Sequence, residues 1–162
     1  MLRSLYIQNY ALIEKLDISF ETGFSVITGE TGAGKSIIIG SVALALGAKA
    51  SKDMIRRGED YAYIELTFSV DDEKKREELK SMDVYPDDDG LLIISKKITP
   101  TRSISRINDE TVTTARLKAV TGKLLDIHGQ HEHQSLLHRQ KHLEILDEYS
   151  RKETGMLRRE VA

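Results

Sequence analysis

The sequence predicts an α/β fold in which a mixed β-sheet surrounds one apolar helix. Three observations support this prediction. Short β-rich runs recur along the first 125 residues, a glycine-rich segment lies between an apolar run and an apolar helical pattern, and charged helical patterns separate the later runs. A length of 162 residues suits one domain with a single core.

The residues up to position 50 predict three strands and a helix. Residues 2–20 contain two β-rich runs, and the break between them is predicted at Gln8 and Asn9. Residues 24–29, FSVITG, form a short apolar run typical of a strand buried on both faces. From Lys35 the pattern KSIIIGSVALALGAK predicts a buried helix that ends at Gly47.

The residues after position 60 alternate between strand and helix patterns. Residues 61–70, YAYIELTFSV, place every second residue on one apolar face, which predicts a half-buried strand. A charged helix follows, capped by Asp71 or Asp72, and then a loop, YPDDDG. The next elements are predicted as strands in LLIISKKIT, RSISRIND and ETVT, a short helix ended by Gly122, a strand at residues 124–129, and a long charged helix from Ser135 to the end.

Composition excludes several classes of protein. Cysteine is absent, so disulfides and thiolate metal sites are excluded, and a reducing cytoplasm is the expected location. No apolar run approaches the roughly 20 residues that cross a bilayer. The formal net charge of −2 is unlike that of a dedicated, strongly basic DNA-binding domain.

The segment GETGAGKS, residues 29–36, matches the phosphate-binding pattern G-x-x-x-x-G-K-[ST] at every fixed position. Bare glycine backbone lets N–H groups converge on phosphate oxygens, and the helix that follows directs its positive end at the same anion. Lys35 would reach the outer phosphates, and the Ser36 hydroxyl would bind Mg²⁺. The alternative is a glycine-rich turn without a ligand. The predicted nucleotide-binding residues are Gly29, Glu30, Thr31, Gly32, Ala33, Gly34, Lys35, Ser36 and Ile37.

Binding of nucleotide does not by itself give hydrolysis. Phosphoryl transfer needs a further carboxylate on the metal and a group that orients the attacking water. No run of four apolar residues followed by an aspartate occurs in the sequence, so part of a catalytic site is missing.

A second constellation lies at residues 126–142, DIHGQHEHQSLLHRQKH. It contains five histidines, His128, His131, His133, His138 and His142. They could form a metal site, or they could be polar groups of a loop and a helix surface. A third interpretation gives the main role to Gln130, whose neutral amide could contact both a metal and the attacking water.

These motifs, in this order, closely resemble the RecN family of bacterial DNA repair proteins, relatives of the SMC chromosome-maintenance ATPases. The resemblance rests on residues 5–47, on RRGEDYAYIELTF, on SRINDETVT and on LLDIHGQHEHQSLL, and it covers residues 1–150. It implies an ABC-type ATPase head built from two ends of a long chain. Residues 1–134 would be the N-terminal lobe, and residues 135–162 would be a helix that begins a coiled-coil arm.

The resemblance also implies roles for particular residues. Lys35 and Gln130 would be catalytic, and Ser36 and Gln130 would lie near Mg²⁺. Arg56 or Arg57 would contact DNA or the partner head. The family's signature sequence, its aspartate–glutamate pair and its histidine switch are absent, and are expected in a C-terminal lobe.

The implied cofactors are ATP and Mg²⁺, and the implied partners are DNA, the chain's own C-terminal lobe and a second head in a homodimer. The family implies a bacterial, nucleoid-associated protein that acts in recombination, double-strand break repair and the SOS response. Two other classes of protein are alternatives: a transporter ATPase subunit and a nucleotide-dependent interaction module. A small P-loop kinase would need a lid with clustered arginines, which the sequence lacks.

Overall fold

In the computed structural model, residues 1–28 and 34–125 are described. They form one sheet with three α-helices. The elements are β1 (Leu2–Tyr10), β2 (Ile13–Ser19), α1 (Lys35–Ala45), a 3₁₀ turn (Lys52–Met54), β3 (Ala62–Ser69), α2 (Glu73–Lys80), β4 (Leu91–Ile98), β5 (Ser103–Ile107), β6 (Glu110–Val112) and α3 (Thr114–Leu124).

The sheet has six strands in the order β2-β1-β3-β4-β5-β6. Every pairing among these described strands is antiparallel. The α/β class with a sheet around the predicted helix is confirmed, since α1 packs against β1, β3 and β4.

The core lies on the face of the sheet that α1 covers. Alternation along β3 turns Ile64, Leu66 and Phe68 inward, as the sequence predicted, and all three are fully buried. In register across the sheet, Ile7 faces Ile64 and Leu66 faces Ile94. These aligned apolar side chains form the continuous surface on which α1 lies.

The opposite face of the sheet is polar and carries tyrosines. The rings of Tyr6 and Tyr63 meet edge to face with centroids 6.2 Å apart, and Lys97 Nζ lies 4.4 Å from the centroid of the Tyr61 ring. The Tyr63 hydroxyl donates a hydrogen bond of 2.5 Å to Glu65. Burial, followed by this bond, raises the pKa of Tyr63 to about 12.

Three predicted boundaries are wrong. The break between β1 and β2 falls at Ala11 and Leu12, because Gln8 continues the ladder opposite Lys15. Gly122 does not end α3, since the helix runs on to Leu124, which is buried. Residues 24–28 are not a strand, because they pair with no strand of the described sheet. The rest of the strand predicted at residues 124–129, beyond Leu125, lies outside the described residues.

Other predictions are confirmed. Helix α1 starts at Lys35 and is followed by Gly47, and the Asp72 side chain caps α2 by accepting from the Lys74 N–H. Asn108 and Asp109 form the turn between β5 and β6. The predicted helix at residues 135–162 lies outside the described residues. No helix in the described part of the chain is long and apolar enough to cross a membrane.

Candidate nucleotide-binding site

The glycine-rich segment enters helix α1 through a left-handed residue. Gly34 has φ +101° and ψ −14° and is the N-cap of α1. A Cβ built on Gly34 would meet open space, so glycine is needed here for its backbone conformation rather than for room. The Ile38 N–H donates to the Gly34 carbonyl at 2.9 Å, which closes the first helical turn.

The two side chains predicted to serve phosphate and metal lie in that first turn. Lys35 and Ser36 are the first two residues of α1, and Ser36 is exposed. The first turn of α1 contains no acidic residue, so the helix itself does not neutralise its positive end. The structure therefore places lysine, hydroxyl and helix N-terminus together, as an anion site requires.

Ile37 has a different role from its neighbours. It is half-buried and packs against the hydrophobic core. Its side chain therefore anchors the first turn of α1 to the sheet, and only its backbone N–H is suited to contact a ligand. The other predicted loop residues, Gly29, Glu30, Thr31, Gly32 and Ala33, lie outside the described residues.

The segment that leads into the loop exposes apolar side chains. Phe24 is 93% exposed and Val26 is 64% exposed, and Ile27 is also exposed. On α1, Ile39 is a further exposed apolar residue. Three of these exposed apolar residues lie close together in the sequence, just before the glycine-rich segment, and contiguous exposed apolar surface is typical of an interaction site.

Arg56 is a structural residue in the described fold. Its Nη1 donates to the Leu12 carbonyl at 2.8 Å, and its Nη2 lies 3.5 Å from a Glu14 carboxylate oxygen. The neighbouring segment is held in the same way, since the Asn9 side chain donates to Glu59 at 2.9 Å. The guanidinium of Arg56 is thus occupied in joining residues 51–59 to the β1–β2 turn.

Arg57 stands apart from that network. It is exposed, and it makes no hydrogen bond or ion pair with any residue that the structure describes. Of the two arginines predicted to contact DNA or a partner head, the fold therefore leaves Arg57 available.

Gln130 and the five histidines lie outside the described residues, so their predicted roles stay predictions. Within residues 1–28 and 34–125, no group of three His, Cys, Asp or Glu side chains could hold a metal ion.

Sequence reasoning missed one functional candidate, Lys96. It lies on the buried face of β4, 3% exposed, and its Nζ donates to the Ala48 carbonyl just beyond α1 at 2.8 Å. The alternation of β4 contained the signal, because positions 92, 94, 96 and 98 share one face and three of them are apolar.

Comparison with known proteins identifies the family of the chain. A family model described as an AAA domain matches residues 4–160. The chain belongs to this AAA domain family. Over 93% of its length, the chain is 42% identical to the DNA repair protein RecN of Halalkalibacterium halodurans. Over an equal share of its length, it is 39% identical to RecN of Bacillus subtilis.

The AAA domain spans only about a quarter of those relatives, 27% and 26% of their lengths. A solved structure from work on ATP-driven dimerization and DNA-stimulated activation of SMC ATPases aligns with a TM-score of 0.64 at 20% identity, covering 92% of this chain and 99% of that one. At this identity the likeness shows the fold, which is that of an ABC/SMC-type N-terminal lobe. The resemblance to RecN found in the sequence is confirmed.

Proposed function

We propose that this chain binds ATP with Mg²⁺ through residues 29–37. One observation carries the proposal: α1 begins at Lys35 immediately after a left-handed Gly34, with Ser36 next in the same turn. The phosphate-binding pattern requires a glycine-rich turn that is followed directly by a helix. The sequence match and the helix start thus support each other at the same residue.

The proposed roles follow from the chemistry of the first turn. Lys35 provides a positive charge for the outer phosphates, and the exposed Ser36 hydroxyl provides a hard oxygen ligand for Mg²⁺. The positive end of α1 adds to the attraction for the anion. Bound Mg²⁺ would neutralise charge on the phosphates. Gln130 is proposed to lie near the metal and to orient the attacking water.

We further propose that the chain is one lobe of a split ATPase head. The exposed Phe24 and Val26 need cover, and the relatives continue for about three quarters of their length beyond the part matched here. In this proposal the chain's own C-terminal lobe covers them and supplies the missing acidic residues. Residues 1–134 form the N-terminal lobe, and residues 135–162 begin the coiled-coil arm.

The proposed activity of the whole protein is that of a DNA repair ATPase. The relatives are DNA repair proteins, and the structural neighbour is an SMC ATPase whose ATP-driven dimerization is studied with DNA. ATP would join two heads, and hydrolysis would release them. DNA would contact the assembled protein, with exposed Arg57 as the contact on this lobe.

Nucleotide titration of the chain tests the binding proposal. A fluorescent ATP analogue with Mg²⁺ should bind weakly to the 162-residue chain, and Lys35→Ala should abolish binding. Lys49→Ala is a matched control, because Lys49 is an exposed lysine beyond the other end of α1. Equal binding by the Lys35→Ala variant and the unchanged chain would refute the proposal.

ATP turnover tests the split head. The chain alone should hydrolyse ATP very slowly, and co-expression with the C-terminal part of the full-length protein should raise the rate, further so with linear DNA. Gln130→Ala should spare binding and slow turnover. Rapid turnover by the chain alone would contradict the split head while leaving nucleotide binding intact.

A further inference from the structure

Lys96 is a charged residue in an otherwise apolar row. It lies on the inner face of β4, between Ile94 and Ile98, and it is opposite Ile64 of β3 in register. Only 3% of its surface is exposed. Burying an ammonium group is unfavourable unless the group has partners, so its position calls for an explanation.

The partner of Lys96 is the C-terminal end of α1. Its Nζ donates to the Ala48 carbonyl at 2.8 Å. Ala48 belongs to the helix terminus, because its N–H donates to the Ala43 carbonyl at 2.9 Å and the Gly47 N–H donates to the Leu44 carbonyl at 3.1 Å. These two bonds form a Schellman motif, so the ammonium lies where the helix carbonyls concentrate negative charge.

Within the part of the chain that the structure describes, no carboxylate forms an ion pair with Lys96. Among the described residues, the ion pairs involve Arg3, Arg56 and Lys123, not Lys96. Burial lowers the pKa of Lys96, and the nearby Lys118 cation lowers it further. Burying Lys96 therefore carries a desolvation cost that an apolar residue at this position would not have, and its bond to Ala48 offsets part of that cost.

The bond from Lys96 to Ala48 bears on the position of α1 against the sheet. Among the described elements, α1 buries Ser41, Leu44 and Ala45 and packs further apolar residues of several faces against the core. A helix that is apolar on all sides can slide or rotate with little loss of burial, since hydrophobic contact is not directional. A buried polar contact selects one register among such alternatives. The other side-chain bond to this end, from Thr121 Oγ1 to the Leu46 carbonyl, is long at 3.4 Å.

We propose that Lys96 is a positioning residue for the nucleotide site: its bond to Ala48 fixes α1 along its axis and so sets the place of Lys35 and Ser36 at the other end. An α-helix transmits such a constraint because it is rigid along its axis, about 16 Å for eleven residues. The inference rests on the proposed nucleotide binding. It differs from a stabilising role, because Lys96 lowers stability while improving the site.

Lys96→Met tests this proposal, with Lys97→Met as a matched control. Lys97 is the next residue of the same strand, exposed on the opposite face. In the 162-residue chain we expect Lys96→Met to unfold at the same or higher urea concentration, because an unpaired buried charge is removed. We expect its Kd for Mg²⁺ and ATP to rise about tenfold, a factor that corresponds to about 1.4 kcal/mol. Lys97→Met should change the Kd less than twofold.

Amide hydrogen exchange without nucleotide gives a second, independent readout. Residues 35–48 should exchange faster in Lys96→Met than in Lys97→Met, whereas the amides of β3 should not change. Should Lys96→Met fail to fold, Lys96→Gln, which keeps a shorter neutral donor, is measured in the same way.

The outcomes separate the two proposals. An unchanged Kd with unchanged exchange over α1 overturns the role of Lys96, and so does a loss of affinity that only parallels a loss of stability. If the unchanged chain binds no ATP, the proposed function fails, and the hydrogen exchange alone decides on Lys96. Faster exchange confined to α1 would then support the positioning role, and equal exchange would overturn it.

Discussion

Replacing Arg56 with alanine should loosen the segment that carries the neighbouring Arg57. The Arg56 guanidinium makes two contacts, one to the Leu12 carbonyl in the β1–β2 turn at 2.8 Å and one to the Glu14 carboxylate at the start of β2 at 3.5 Å. Backbone bonds also join the two segments, since the Arg56 N–H donates to the Asn9 carbonyl at 2.9 Å. Arg56→Ala removes the side-chain contacts and leaves that backbone bond in place.

The size of the effect follows from the exposure of each partner. A hydrogen bond from a charged donor contributes about 1.5 to 3 kcal/mol, but the Arg56 side chain is 34% exposed, so the lower end applies. The Glu14 side chain is 78% exposed, and such surface ion pairs contribute about 0 to 1 kcal/mol. Leu12 is exposed, so water can replace the lost donor at its carbonyl. We expect a loss of about 1 to 2 kcal/mol in the free energy of unfolding.

Urea denaturation followed by circular dichroism measures this loss. In a chain of this size, 1 kcal/mol lowers the Tm by about 2 to 4 °C, so thermal unfolding should show the effect as well. Arg57→Ala is the control, and it should stay within about 0.5 kcal/mol of the unchanged chain because Arg57 is exposed. Combining Arg56→Ala with Glu14→Ala isolates the ion pair. Equal stability of the two arginine variants would refute the structural role of Arg56.

Three further changes test the fold. Gly47→Ala should destabilise the chain by about 1 to 3 kcal/mol, because Gly47 has φ +109° and an added Cβ would lie 2.9 Å from Lys118 Cγ. Gly122→Ala in α3 meets open space and should instead stabilise by up to about 1 kcal/mol in the same urea assay, so effects of equal sign would contradict the structure. The raised pKa of Tyr63, about 12 against 10 unfolded, stabilises the fold below pH 10, and this contribution is lost as the pH rises from 10 to about 12. Tyr63→Phe should flatten that part of the stability-against-pH curve, and an unchanged slope would exclude Tyr63 as its source.

The sequence predicted correctly those elements whose limits and buried face are set by residues close together in the sequence. The alternation of Ile64, Leu66 and Phe68 fixed both the strand and its buried face, because a period of two admits one inward set. Helix α1 was predicted from the glycine turn before it and Gly47 after it, since each end has a backbone conformation that favours glycine. In these elements the residues next to each other in sequence carry the decisive information.

The wrong boundaries depend on contacts that sequence spacing does not contain. Ala11 adopts φ +51° at the β1–β2 turn, a conformation that alanine disfavours, and its N–H donates to the Met54 carbonyl at 2.8 Å. The position of the turn therefore depends on a segment more than 40 residues later, which the local polarity of Gln8 and Asn9 does not reveal. Similarly, Gly122 remains helical because burial of Leu124 outweighs the weak helix propensity of glycine.

The candidate site was predictable to the same degree. Lys35 and Ser36 are candidates because a motif fixes residue types at a fixed spacing, which can be read from one sequence, and the structure adds that both lie in the first turn of α1. Arg56 and Arg57 could not be told apart by sequence, because their difference lies in which one reaches Leu12 and Glu14 across the fold. Recognising Lys96 as a candidate required both the register of β4 in the sheet and the position of the C-terminal end of α1.

The glycine-rich segment lies between helix α1, which packs against the sheet, and residues 24–28, which do not belong to the sheet. On one side α1 is tied down at its far end, with Lys96 bound to Ala48 and Gly47 closing the helix. On the other side Phe24 and Val26 are largely exposed and pair with no strand of the described sheet. A phosphate-binding loop binds most tightly when the segments on both sides of it are fixed. If one of them is not, the binding free energy must offset the conformational entropy lost when that segment is ordered. If a C-terminal lobe covers Phe24, as proposed above, the ATP affinity measured with the fluorescent analogue should be higher with that lobe than without it, even when the lobe lacks its acidic residues, and equal affinity would contradict this reasoning.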